Sequence, residues 1–114
     1  LFSDQRDIVD GTLVVRTAKD GETHVVSFCG ELDLANAGTA EAALDASLGD
    51  DGTQVVIDMS ELEFIDSTGI ALLVAALGRN DGKDRVRFVL STAPAVTRVL
   101  EVTGLTARLP LADA

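Results

Sequence analysis

The stretch Val55-Val56-Ile57-Asp58-Met59-Ser60-Glu61-Leu62-Glu63-Phe64-Ile65-Asp66-Ser67-Thr68-Gly69-Ile70-Ala71-Leu72-Leu73 decides the fold. Its first residues follow the turn signal Asp50-Asp51-Gly52 and are apolar at consecutive positions. A short continuous run of that kind predicts a central strand over 53–58, buried on both faces. Downstream, Ile70, Leu73, Val74 and Leu77 fall at i, i+3, i+4 and i+7, and Gly78 closes the run. That spacing predicts a helix over 68–77, reached from the strand through a loop.

The junction Asp66-Ser67-Thr68-Gly69 has a purely structural explanation. Asp is a preferred helix N-cap whose carboxylate accepts from the amides two and three residues on, with Ser67 and Thr68 in the first turn. A functional explanation stands beside it. A serine at a helix start after a strand lies at the end of the sheet where α/β folds place binding sites. Helix amides nearby tolerate a phosphate there, and Gly69 leaves room for a partner's backbone to approach.

Working outward, Leu13–Thr17 and His24–Cys29 are β-rich runs flanking the Asp20-Gly21 turn signal, which predicts a hairpin. Residues 1–12 form a tail or a weak edge strand, and residues 13–114 form one domain. From Ala35 to Leu48 the chain is alanine-rich, with Ala37, Ala40, Leu44 and Leu48 on one helical face, Gly49 as a stop and Asn36 or Asp33 as cap. Val86–Leu90 is a strand, and Pro94 opens a third helix through Val96, Val99 and Leu100 to Gly104. Leu105–Leu109 is a short last strand. The order ββαβαβαβ predicts an α/β domain with a mixed, mostly parallel sheet, an antiparallel hairpin at its N-terminal edge and helices packed against it.

The chain has 114 residues, 46% of them hydrophobic, and a net charge of −10, which is ample apolar material for one core. That charge disfavours nucleic acid and anionic membrane surfaces, so a basic or neutral protein partner fits better. The single Cys29 forms no internal disulfide and no cysteine metal site, which fits the cytoplasm. On a buried-looking strand it reads as a small core residue. No run approaches membrane-spanning length and no signal-peptide pattern opens the chain, although it does not begin with Met.

Enzyme chemistry has little to stand on. His24 is the only histidine and has no serine or cysteine partner at a recognisable spacing. Neither Gly-x-Gly-x-x-Gly nor a phosphate-cradling Gly-x-x-x-x-Gly-Lys motif occurs. Asp58 and Asp66 at strand ends invite a Mg²⁺ reading, but the paired acids and terminal lysine of a phosphoacceptor receiver are missing. No cofactor or metal is expected.

Four segments in order, Gly30-Glu31-Leu32-Asp33-Leu34-Ala35, Val56-Ile57-Asp58-Met59-Ser60, Phe64-Ile65-Asp66-Ser67-Thr68-Gly69-Ile70 and Leu100-Glu101-Val102-Thr103-Gly104-Leu105, resemble the STAS domains of bacterial anti-sigma factor antagonists. The resemblance runs from about Leu13 to Leu109. It implies a non-enzymatic switch protein. Unphosphorylated, such a protein binds an anti-sigma factor that is also a serine kinase and so frees a sigma factor. Phosphorylation at the position of Ser67 ends the binding, and a phosphatase resets it. The resemblance places Glu31, Asp33, Asp66, Ser67, Thr68 and Gly69 on the docking surface. It also allows two other roles, a docking subunit or appendage of a membrane transporter and a nucleotide-binding sensor. Family members finish with a C-terminal helix, of which at most the first turn is expected after Pro110.

The charge is unevenly divided. Residues 1–66 hold 15 acids against 3 bases, a net of −12, while residues 67–114 hold 4 acids against 6 bases, a net of +2. A partner face that is basic near Glu31 and Asp33, with salt-sensitive association, is the consequence expected.

Overall fold

The structure, a computed structural model, describes residues 3–49, 53–80 and 84–112. Three antiparallel strands come first: β1 (Ser3–Asp10), β2 (Leu13–Asp20) and β3 (Thr23–Leu32). The chain continues with α1 (Ala37–Leu48), β4 (Gln54–Asp58), β5 (Leu62–Ile65), α2 (Ser67–Gly78), β6 (Val86–Val89) and α3 (Pro94–Val102). A 3-10 turn at Leu105–Ala107 follows.

The sheet order is β1-β2-β3-β4-β6, with β5 also paired to β3. β3 is antiparallel to β2 and parallel to β4 and β5, and β6 is parallel to β4. The mixed, mostly parallel sheet with an antiparallel N-terminal edge is as expected. The Asp20-Gly21 hairpin is also present, with Asp20 facing Thr23 across the turn.

One face of the sheet carries the core. Leu13, Val15, Val26, Phe28, Val55, Ile57, Val86 and Phe88 alternate along their strands and are fully buried. Against them pack Ala40, Ala43, Leu44 and Leu48 of α1, Leu72, Leu73 and Ala76 of α2, and Val96 and Leu100 of α3. Each large apolar side chain removed from water in this way stabilises the fold by about 1.5–3 kcal/mol.

Of the two readings of the N-terminal segment, tail or weak edge strand, the strand is present: Ser3–Asp10 pairs with β2 from Asp10↔Leu13 outward. Other expectations are corrected. The central strand β4 is buried on one face only: Val55 and Ile57 are covered, whereas Val56 and Asp58 are half-buried. A hydrophobic side chain in a central strand is flanked by neighbours on both sides, which makes consecutive apolar residues compatible with an open face. Residues 105–109 form no strand: Gly104 turns left-handed at φ 78°, and the chain enters the 3-10 turn Leu105–Ala107. The edge of β6 is met further on, where the Phe88 N–H donates to the Pro110 carbonyl (2.8 Å) and Ala112 N–H to the Phe88 carbonyl (2.9 Å). Leu111 therefore sits in a β-bridge, not in the first turn of a helix. The turn signal at residues 50–52 lies outside the described residues.

Two side-chain readings also change. Cys29 points to the open face and is half-buried, because Phe28 takes the core position in the alternation. In α2 the buried face is Gly69, Leu72, Leu73 and Ala76, while Val74 is 42% exposed. The helix is apolar nearly all round, so periodicity alone could not fix which stripe faces the sheet.

Candidate functional site

At the C-terminal end of β3 the ladder changes partner. Residues Thr23–Ser27 pair with β4, whereas Gly30, Glu31 and Leu32 pair with Leu62, Phe64 and Ile65 of β5. The shift passes through Gly30 at φ 98°, where a Cβ would lie 2.1 Å from the Thr12 carbonyl oxygen. Only glycine fits there. The Gly30 N–H donates to the Glu61 carbonyl (3.1 Å) and Glu31 N–H to the Thr12 carbonyl (3.3 Å), which fixes the departure angle.

β5 carries no signal of its own in the sequence, where the segment before Asp66 reads as a loop. It is the element that assembles the site, because its pairing sets Ile65 beside Leu32 and so puts Asp66 against the 33–36 turn. The Asp66 N–H donates to the Leu32 carbonyl (3.2 Å). Asp66 then uses its two carboxylate oxygens for two elements. Oδ1 accepts from Thr68 N (2.9 Å) and Gly69 N (3.1 Å), capping α2, while Oδ2 accepts from Leu34 N (3.1 Å). The cap expected at Asp66 is thus present, and a tie to the 33–36 turn comes with it.

The 33–36 turn is internally braced. Asp33 Oδ1 accepts from Ala35 N (3.0 Å), and Asn36 Oδ1 accepts from Asp33 N (3.0 Å). Asn36 is 3% exposed and its Nδ2 donates to the Glu31 carbonyl (3.0 Å). Neither Asn36 nor Asp33 caps α1 through its side chain, contrary to expectation, since both side chains are engaged within the turn itself. The result is a rigid surface bearing exposed Glu31, half-buried Asp33 and a Leu34 that is 76% exposed.

Ser67 is the first residue of α2 and is exposed, while Thr68 is half-buried. Two of the first-turn amides expected to be open to a phosphate are already occupied by Asp66. The expectation for Gly69 is also corrected: it is buried, and a Cβ there would meet Ile65 Cγ1 at 2.6 Å and Leu32 Cγ at 3.0 Å. Its small size lets α2 pack on β3 and β5, so it supports the site from inside.

Away from this surface, Asp58 Oδ1 accepts from Ser60 N (2.9 Å) in the turn between β4 and β5. Among the described residues no group of three or more His, Cys, Asp or Glu side chains is placed to hold a metal ion. No helix among them is long and apolar enough to cross a membrane. Cys29 Sγ donates to Glu61 Oε2 (3.7 Å) on the open face, where Arg16 also approaches Glu61 (3.7 Å). Burial, then the Glu61 charge and hydrogen bond, push the thiol pKa up, and Arg16 only partly opposes them. That places Cys29 away from nucleophilic chemistry.

A mixed sheet layered on one face by helices, with an exposed serine at the start of the helix after β5, defines a small α/β domain. The chain belongs to the STAS domain family: the family model described as "Mlab, STAS domain" matches residues 15–111. It is 34% identical over 87 residues to the anti-sigma-F factor antagonist RsfB of Mycobacterium tuberculosis, covering 76% of this chain and 70% of that protein. It is 26% identical over 93 residues to the anti-sigma-B factor antagonist of Staphylococcus aureus, covering 82% and 86% of the two chains. Among solved structures, an anti-sigma factor antagonist from Mycobacterium paratuberculosis superposes with a TM-score of 0.79 at 29% identity, over 90% of this chain and 86% of that one. The unphosphorylated form of the anti-sigma factor antagonist SpoIIAA shares the fold, with a TM-score of 0.70 at 21% identity over 87% of this chain and 88% of that one.

Proposed function

We propose that this protein is an anti-sigma factor antagonist that binds an anti-sigma factor with serine kinase activity and is released by phosphorylation at Ser67. The observation that carries the reading is the exposed Ser67 at the start of α2, joined through Asp66 to the acidic 33–36 turn. Homologues named anti-sigma factor antagonists support the role. In the unmodified state the partner docks over Glu31, Asp33, Asp66, Ser67 and Thr68, with Gly69 beneath holding α2 in place. Transfer of the γ-phosphoryl group of ATP to Ser67 Oγ releases ADP and adds about −1.5 to −2 charges at pH 7. With the Thr68 and Gly69 amides already engaged by Asp66, the new charge has little local compensation and meets the partner directly. Affinity changes while the fold persists, and a phosphatase restores the binding form.

The acidity of the docking half calls for a partner face that is basic opposite Glu31 and Asp33, with association weakened by salt. The test is incubation with the candidate kinase and ATP, phosphosite mapping, and a binding assay. Ser67→Ala should bind constitutively. Ser67→Asp should bind at least about tenfold more weakly, a loss of about 1.4 kcal/mol, with its melting temperature nearly unchanged. Label on Thr68 instead, or undiminished binding by Ser67→Asp, would overturn the assignment.

A further inference from the structure

From Ser67 to Gly78, α2 carries no charged residue. The core uses one face of it, through Gly69, Leu72, Leu73 and Ala76. On the other side Ala71, Val74, Ala75 and Gly78 are exposed. A helix at a protein surface ordinarily turns charged or polar side chains to water, and one that is apolar all round is covered on all sides. The outer face of α2 therefore has the composition of a covered surface.

Beside this face a groove of about 350 Å³ runs between α1 and α2. It is lined by Leu34 and Thr68, next to Ser67, and by Ala37, Gly38, Ala71 and Ala75. Past Glu41 and Ala75 it continues into a second hollow of about 180 Å³, which the Asp45–Arg79 ion pair (3.4 Å) also lines. Among the described residues nothing requires Gly38 to be small. Glycine forms helix poorly, yet a Cβ at position 38 would meet nothing within 4 Å beyond its own helix. A larger side chain there would stand in the groove. Glu41 supplies the charge of the site. It is exposed and, among the described residues, makes no ion pair or side-chain hydrogen bond, because Arg79, the only base lining the groove, is engaged by Asp45.

We propose that this groove receives an amphipathic helix of the partner, with an apolar stripe seated between α1 and α2 and a Lys or Arg facing Glu41. The inference rests on the partner named under the proposed function and extends its docking surface along α2. Ser67, Ala71 and Ala75 follow one another at i, i+4 and i+8 on one helical face, so Ser67 stands at the head of the groove. The 12 residues of α2 span about 18 Å, the length of a helix of roughly three turns laid beside it. Docking of that kind seats apolar anchors one turn apart in a hydrophobic groove. The acids Glu31, Asp33 and Glu41 select a basic flank on the incoming helix over an acidic one.

The experiment is amide chemical-shift titration of the isotopically labelled chain with a peptide of about fifteen residues, long enough to form a helix. In it Leu recurs at helical period and Lys fills the remaining positions. A Leu–Glu peptide of the same pattern and a Leu–Lys peptide of scrambled order serve as comparisons. The patterned Leu–Lys peptide should give saturable shifts at residues 34, 37–41 and 71–75, and the other two should bind at least about tenfold more weakly. Gly38→Leu and Ala75→Lys should each weaken it at least about tenfold, and Glu41→Gln about threefold. Leu forms helix better than Gly, and Lys nearly as well as Ala, so the melting curves of the first two variants should stay close to that of the wild type. Both variants should weaken binding of the anti-sigma factor kinase by a similar factor. Equal binding of the Leu–Glu peptide, shifts outside the groove, or peptide binding that survives Gly38→Leu and Ala75→Lys would overturn the proposal. A kinase that binds wild type and both variants alike would overturn it and leave the function proposed for Ser67 standing. Peptide binding in the groove of a chain that no candidate kinase binds would instead overturn the function proposed for Ser67 and leave the groove as a site for a cationic helix.

Discussion

Asp66 joins two elements through two oxygens, and replacing it tests the site one oxygen at a time. Asp66→Ala removes the acceptor for Thr68 N and Gly69 N and the acceptor for Leu34 N. Loss of an N-cap costs about 1 kcal/mol, and loss of a hydrogen bond to a backbone amide about 1 kcal/mol more. A total of about 2 kcal/mol in a domain this size lowers the melting temperature by roughly 8–10 °C. Asp66→Asn separates the two contributions. Asn caps a helix as well as Asp does, so its carbonyl oxygen can replace Oδ1, but its NH₂ group then confronts the Leu34 N–H, donor against donor. About 1 kcal/mol is expected to be lost, roughly half the alanine effect. Urea unfolding gives the global values, and amide hydrogen exchange reads Leu34 directly, with exchange about fivefold faster in both variants for ~1 kcal/mol. Leu34 exchanging at the wild-type rate in both proteins would refute the tie between α2 and the 33–36 turn. Equal losses for Asn and Ala would refute the separation of the two oxygens.

Gly30→Ala should cost at least about 3 kcal/mol in urea unfolding, because it combines a left-handed φ of 98° with a Cβ 2.1 Å from a backbone oxygen that cannot move aside. Gly69→Ala gains about 1 kcal/mol of helix propensity but overpacks against Ile65 and Leu32, for a net loss of roughly 1–2 kcal/mol, and Gly69→Val should lose more. Either variant matching the wild type would show that the α2–β5 contact is looser than described. Cys29 should react with iodoacetamide more slowly than a free thiol at pH 8, since a raised pKa leaves less thiolate at that pH. Glu61→Gln should shift the pH–rate profile down but not to the free-thiol value, burial being the larger cause, and Arg16→Gln should shift it up. A profile unmoved by either change would remove the open-face cluster as the cause.

The local signals in the chain were sufficient where one segment decides its own conformation. The Asp20-Gly21 hairpin, the Asp66 cap and the Pro94 helix start each depend on a few adjacent residues and are present as read. The stripe Ala37, Ala40, Leu44 and Leu48 is legible because the charged Glu41 and Asp45 of α1 lie off it and are exposed. Where that contrast is missing, as in α2, several stripes are equivalent until a sheet is placed beneath them.

The order of most elements, the α/β class and the position of Ser67 at a helix start are legible in the chain, because hydrophobic period, turn residues and caps act within a few residues. That Leu62–Ile65 is a strand depends on a partner distant in the chain. Four residues with no clean alternation become one by pairing with β3, thirty-three positions earlier at Glu31 and Leu32. The same long-range register made Asp66 a joint between α2 and Leu34, turned Asn36 inward to brace the 33–36 turn, and buried Gly69. The physical reason is that a side chain's type is local information, whereas its neighbours across a sheet are set by how the strands align.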